Sequence, residues 1–76
     1  MIKELVTFVV QQLVSHPHEV IVNLIQRDDV EVVEIKVAAD DRGRVIGKEG
    51  HTIKALRVLV DSMIPKDKKI IIELSQ

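Results

Sequence analysis

The stretch "RGRVIGKEGHTIKALRVLV", Arg42 to Val60, decides how this chain of 76 residues is read. It holds all three glycines: Gly43, Gly47 and Gly50. From Arg42 to Arg57 it carries five basic residues, Arg42, Arg44, Lys48, Lys54 and Arg57, against one acid, Glu49. That segment is +4 within a chain of formal charge -1, so the other 60 residues carry -5. Glycine and positive charge placed together ahead of a helical pattern mark a contact for a polyanion. The acidic remainder limits indiscriminate binding.

Three glycine motifs compete for this segment. A dinucleotide fingerprint needs G-x-G-x-x-G, but the spacing here is G-x-x-x-G-x-x-G. The chain is also too short for a doubly wound sheet. A P-loop needs G-x-x-x-x-G-K-[ST]; here the spacing is one residue short, and Glu49 stands where a hydroxyl would ligate Mg²⁺. The third motif is the G-x-x-G loop of a KH domain, "GKEG", set between two helices after a strand.

The chemistry of that loop is simple. Two glycines permit positive φ and leave no Cβ to block a sugar-phosphate backbone. Amide groups at the start of the next helix, with its dipole, favour phosphate. Lys48 adds charge at the tip. Ile46 and Ile53 can form an apolar groove floor for bases, with Val37 or Val33 from the strand behind. Such loops clamp about four nucleotides of a single strand.

With these residues in view, the chain resembles a type II KH domain. It closely resembles the KhpA (YlqC-like) family of small bacterial KH proteins. The resemblance spans the whole chain, from "MIKELVTFVVQQLVSHPHEV" through "DRGRVIGKEGHTIKALRVLV" to the last strand. It implies single-stranded RNA binding in the cytoplasm, with a chaperone-like or post-transcriptional role. It also implies self-association or pairing with a second KH protein, KhpB, and links to cell elongation, cell shape and envelope or cell-wall homeostasis. The RNA-binding residues expected on this reading are Arg42, Gly43, Arg44, Ile46, Gly47, Lys48, Glu49, Gly50, His51, Ile53 and Lys54. Two positions depart from the family. Glu49 replaces a neutral or basic residue, and its carboxylate repels phosphate. His51 stands where Arg is common, and imidazole is mostly neutral at pH 7.

Outward from the glycine segment, the chain reads α-β-β-α-α-β. Ile2, Leu5, Val6, Val9, Val10 and Leu13 make a helical stripe over residues 2–15, ended by Pro17. Residues 19–26 and 30–38 alternate as strands joined by the tight polar "RDD". Glu31-Val32-Val33 breaks the alternation, which predicts a bulge or a shifted start. Asp40 or Asp41 is placed to cap a short helix ending near Ile46. A longer helix runs from His51 or Thr52 to about Met63, with Ile53, Leu56, Leu59 or Val60, and Met63 as its apolar stripe, and Pro65 ends it. "KDKK" is a solvated turn, and "IIIEL" closes the sheet with Ile70, Ile72 and Leu74 on one face. The predicted fold is α+β, one KH domain over residues 1–76, with helices on one face of a three-stranded sheet.

Composition narrows the function. The chain has no Cys, which removes disulfides, thiolate metal sites and Cys nucleophiles. The N-terminal stretch does not read as a signal peptide, and no apolar run reaches membrane-spanning length. Only one residue, Phe8, is aromatic. Base-stacking platforms of the RRM kind are therefore unavailable, and binding must use phosphates, base edges and aliphatic packing. His16 and His18 frame Pro17 as a structural turn, since H-x-H lacks a third metal ligand. Ser15, Ser62 and Ser75 have no neighbouring base, and no cofactor or enzymatic activity is expected. Val58, Leu59, Val60, Met63 and Ile64 offer more apolar surface than one stripe needs, so part of it is expected to touch a partner. The alternative reading is a protein-interaction module on a KH scaffold, whose RNA binding Glu49 has weakened or abolished.

Overall fold

A computed structural model describes residues 1–75 of the chain. The elements follow the predicted order. Helix α1 spans Ile2–Leu13, strands β1 and β2 span Ile21–Arg27 and Val30–Lys36, helices α2 and α3 span Arg42–Ile46 and His51–Asp61, and β3 spans Lys69–Leu74. Short 3-10 turns stand at Pro17–Glu19, Ala39–Asp41 and Lys48–Gly50.

The sheet has the order β1-β2-β3. β1 and β2 are antiparallel, joined through Asp28 and Asp29, with Asp28 at φ 51°. Aspartate tolerates that left-handed conformation better than most residues. β3 lies parallel to β2. A parallel pair needs a long crossover, and here α2, the glycine loop and α3 supply it. The loop is thus held at both ends by elements anchored in the sheet.

The core lies between the sheet and the helices. Val6 and Val10 of α1, Val22, Val33 and Ile35 of the strands, Val45 of α2, and Leu56 and Val60 of α3 are buried there with Ile70 and Ile72. Fully burying an aliphatic side chain of this size is worth about 1.5–3 kcal/mol. The predicted stripe of α1 packs through Ile2, Val6, Val9 and Val10, and that of α3 through Ile53, Leu56 and Val60, while Leu59 and Met63 stay exposed.

Three expectations are corrected in detail. α1 stops at Leu13, and the residues before β1 turn through Pro17–Glu19 rather than starting the strand at 19. The β1–β2 register runs residue for residue from Arg27↔Val30 to Ile21↔Lys36, so Glu31-Val32-Val33 is regular strand. The alternation breaks because Val32, on the face away from the helices, is buried too. It pairs with Ile25 on one side and Ile71 on the other, and only 1% of its surface is exposed. Finally, Asp41 occupies the N-cap position of α2, but its carboxylate turns back to Ser15 and His16.

Candidate nucleic-acid interface

The loop begins where α2 ends. Gly47 has φ 76° and ψ 172°, a region open essentially to glycine alone. Its amide donates to the Gly43 carbonyl at 2.9 Å. Lys48, Glu49 and Gly50 then make a single turn, with the Gly50 amide donating to the Gly47 carbonyl at 3.1 Å. Glu49 at φ 57° and Gly50 at φ 75° are both left-handed. Three positive φ values within four residues reverse the chain and start α3 at His51.

The two loop glycines serve different ends. A Cβ at Gly47 would overlap Thr52 Oγ1 and lie 2.7 Å from Thr52 Cβ. A Cβ at Gly50 would meet only Lys54 Cε, at 3.8 Å. Gly47 is therefore required by space and conformation, Gly50 by conformation alone. For Gly43, among the described residues, nothing lies within 4 Å of an added Cβ. It sits exposed inside α2, with neither positive φ nor a crowding neighbour to require it.

The expected site residues converge on one end of the molecule, where α2 ends and α3 begins. Arg44, Lys48, Glu49, His51 and Lys54 are exposed. Ile46 is 38% exposed, and Ile53 is partly buried against the core, so both can border a groove. Val37 is likewise half-buried. Val33 is fully buried, which removes it as a groove floor. Arg42 has an internal partner: its Nη1 donates to the Ser75 carbonyl and ties α2 to the end of β3. At the tip, His51 Nε2 stands 3.9 Å from Glu49 Oε2. That pair attracts only when His51 is protonated, and its exposure keeps it weak.

Behind the interface lies a cluster the sequence did not signal. The Asp41 side chain is fully buried. Its Oδ1 accepts from the Ser15 amide at 3.0 Å and the Ser15 hydroxyl at 2.7 Å. Its Oδ2 accepts from the His16 amide at 3.0 Å and meets His16 Nδ1 at 3.0 Å. Arg44 Nε stands 3.5 Å from Oδ1. These bonds, led by the Ser15 amide, hold the Asp41 carboxyl well below the usual carboxylate range. The bond to Asp41 raises His16 above its ordinary value. Ser15 therefore does have a neighbouring imidazole, at 3.1 Å, contrary to the sequence expectation. The hydroxyl donates to Asp41 Oδ1, however, and the hydroxyl oxygen and Asp41 Oδ2 meet the same ring nitrogen, so the trio is a structural knot rather than a nucleophile with its base. No sequence signal joins residues 15 and 41; only the fold does.

The exposed side of α3 also carries apolar residues among its charged ones. Val58 is 68% exposed, Leu59 48% and Met63, just past the helix, 38%. Val60 is wholly in the core and Ile64 packs against it, so these two drop out of the expected partner surface.

The family model for the KhpA/KhpB KH domain matches residues 3–74. The chain belongs to the KhpA/KhpB KH-domain family. Similar KhpA relatives include three called RNA-binding protein KhpA. The one from Clostridium perfringens is 38% identical over 73 residues, covering 95% of this chain and 97% of that protein. The one from Thermotoga maritima is 39% identical over 72 residues, 95% and 96% of the two chains. The one from Listeria monocytogenes is 40% identical over 73 residues, again 95% and 96%. The KhpA/KhpB assignment thus rests on matches across nearly the full length of this chain. Among the described residues no helix is long and apolar enough to cross a membrane.

Proposed function

We propose that this chain is a non-enzymatic, single-stranded RNA-binding module that uses the GKEG loop as its phosphate clamp. The observation that carries the reading is the loop itself. Gly47, Glu49 and Gly50 hold left-handed φ at the head of an eleven-residue helix, with basic side chains around them and Ile46 exposed beside them. Orphan amides of the first turn and the helix dipole face the same end. Phosphates sit at the loop, and bases lie on the aliphatic border made by Ile46, Ile53 and Val37. Arg44, Lys48 and Lys54 add charge, and Gly43 leaves room for close approach. The names of the relatives support RNA as the ligand.

One such module covers about four nucleotides without aromatic stacking, so its binding is weak, salt-sensitive and loosely specific. Association of two modules raises apparent affinity through effective concentration. The exposed Val58, Leu59 and Met63 favour that association, with a second copy or a KhpB-type KH protein. A cytoplasmic RNA chaperone or post-transcriptional regulator connected to cell elongation and envelope homeostasis fits the family resemblance.

The deciding experiment is a salt series of binding to a pool of short single-stranded RNAs. Wild type is compared with a Lys48→Asp, Glu49→Asp double variant, which keeps the glycines and makes the tip acidic. Wild type is expected to bind with a clear salt slope and the variant to lose binding. Equal binding by both, or binding by neither, moves the function to protein partners through the outer face of α3.

A further inference from the structure

The buried carboxylate of Asp41 lies outside the loop, yet it borders the helix that delivers it. α2 has only five residues, too few to be stable or to fix its own direction. Its heading is set by what holds it: Val45 in the core, Arg42 on the Ser75 carbonyl, and Asp41 immediately before its first residue. Asp41 binds both residues of the corner that follows α1, through two amides, a hydroxyl and an imidazole. The same carboxylate faces Arg44 from within the turn. Gly47 lies six positions after Asp41, a lever of about 9 Å at helical rise. A swing of about 10° at Asp41 would move the loop by about 1.5 Å on that lever.

From this geometry we infer that Asp41, with Ser15 and His16, is a positioning unit for the RNA loop: it locks the corner after α1 to the start of α2 and so fixes where α2 presents Arg44, Gly47 and Lys48. The inference rests on the RNA-binding reading above for its consequence, but the positioning itself is measurable without RNA. Asp41 does not touch the ligand. It acts through α2.

His16 makes the unit readable by pH. The groups facing His16 are Asp41, Glu19 and Asp40, all acidic, and the His18 ring at 6.4 Å. Protonated His16 tightens the bond to Asp41, and neutral His16 leaves a weaker one.

The test uses glycine labelled with nitrogen-15. The chain has three glycines, all in α2 and the loop, so three amide peaks report on the segment and nothing else. A His51→Gln background removes the loop's own imidazole. In that background the Gly43 and Gly47 peaks are expected to move as His16 titrates, and to stop moving when His16→Gln is added while His18 remains. Ser15→Ala and Asp41→Asn are expected to shift the same peaks and to weaken binding to the short RNA pool by about tenfold at temperatures where circular dichroism shows a folded chain. If Asp41→Asn fails to fold, Ser15→Ala and His16→Gln decide the matter. Glycine peaks indifferent to all these changes would overturn the inference, as would shifted peaks with unchanged RNA affinity. If wild type binds no RNA, the RNA reading fails, while the peaks still report whether Asp41 holds α2.

Discussion

The Thr52 side chain occupies the space that a Cβ on Gly47 would need. This single adjacency makes the two loop glycines unequal. Gly47→Ala must push Thr52 aside and enter a backbone region that L residues avoid. Gly50 needs only the left-handed conformation, which Asn tolerates. Gly50→Asn is therefore expected to cost less than about 1 kcal/mol, and Gly47→Ala clearly more. Urea denaturation of the two variants side by side checks the order; equal midpoints would contradict it.

Gly43 should behave in the opposite sense. It lies in a helix, and nothing among the described residues crowds its Cβ position. Gly43→Ala is expected to stabilise the fold by up to about 1 kcal/mol, the helix-propensity difference. If RNA passes close to α2, the same methyl weakens RNA binding. A variant with a higher melting temperature and poorer RNA affinity places the ligand against α2. Higher stability with unchanged affinity places it elsewhere.

Stability against pH follows from Asp41 and His16. The carboxyl is lowered in the fold, so its contribution is present above about pH 3.9 and is lost as pH falls toward the folded value. The imidazole is raised, so its contribution is full below about pH 6.5 and is lost as pH rises through the higher folded value. The urea midpoint should therefore peak between about pH 4 and 6.5 and decline on the alkaline side. His16→Gln should flatten that alkaline decline. A decline of the same size in the variant would assign it to other groups.

At the loop tip, Glu49 and His51 set the charge. A Glu49→Gln, His51→Arg variant removes a carboxylate and places a permanent cation at the tip. Its RNA affinity should rise, and its salt dependence should steepen by about 0.7 in log–log slope for each additional phosphate neutralised on a single strand. Affinity equal to that of wild type would show that the tip charge does not take part in binding.

The outer face of α3 has its own test. Met63→Glu places a charge beside Val58 and Leu59 while leaving the buried Val60 untouched. Light scattering or sedimentation should show loss of any self-association, with the circular dichroism spectrum unchanged. An association state insensitive to this change would rule out that surface.

Much of the fold is legible in the residues because periodicity and punctuation agree. Pro17, the Asp28-Asp29 turn, the two loop glycines and Pro65 mark the breaks between elements, and the apolar stripes of α1 and α3 point to the faces that pack. Local pattern does not show that Val32 is buried on the far side of the sheet, because its cover comes from Ile25 and Ile71 on two other strands. It misreads Asp41 as a helix cap for the same reason. An acid before a helix has the same local signature whether it caps the helix or reaches 26 residues back to Ser15. Nor does local pattern show that Arg42 donates to the Ser75 carbonyl just past the end of β3.

The central strand carries one last consequence. β2 is hydrogen-bonded along both edges, and Val32 and Val33 bury opposite faces of it. The glycine loop lies beyond α2's own anchor at Asp41, and Lys48 and Glu49 at its tip are exposed. Amide hydrogen exchange should accordingly be slowest at Val32 to Ile35 and orders of magnitude faster across Lys48 to Gly50. On the proposed reading of the loop as a phosphate clamp, it can open and refit from one phosphate to the next without loosening the strand behind it.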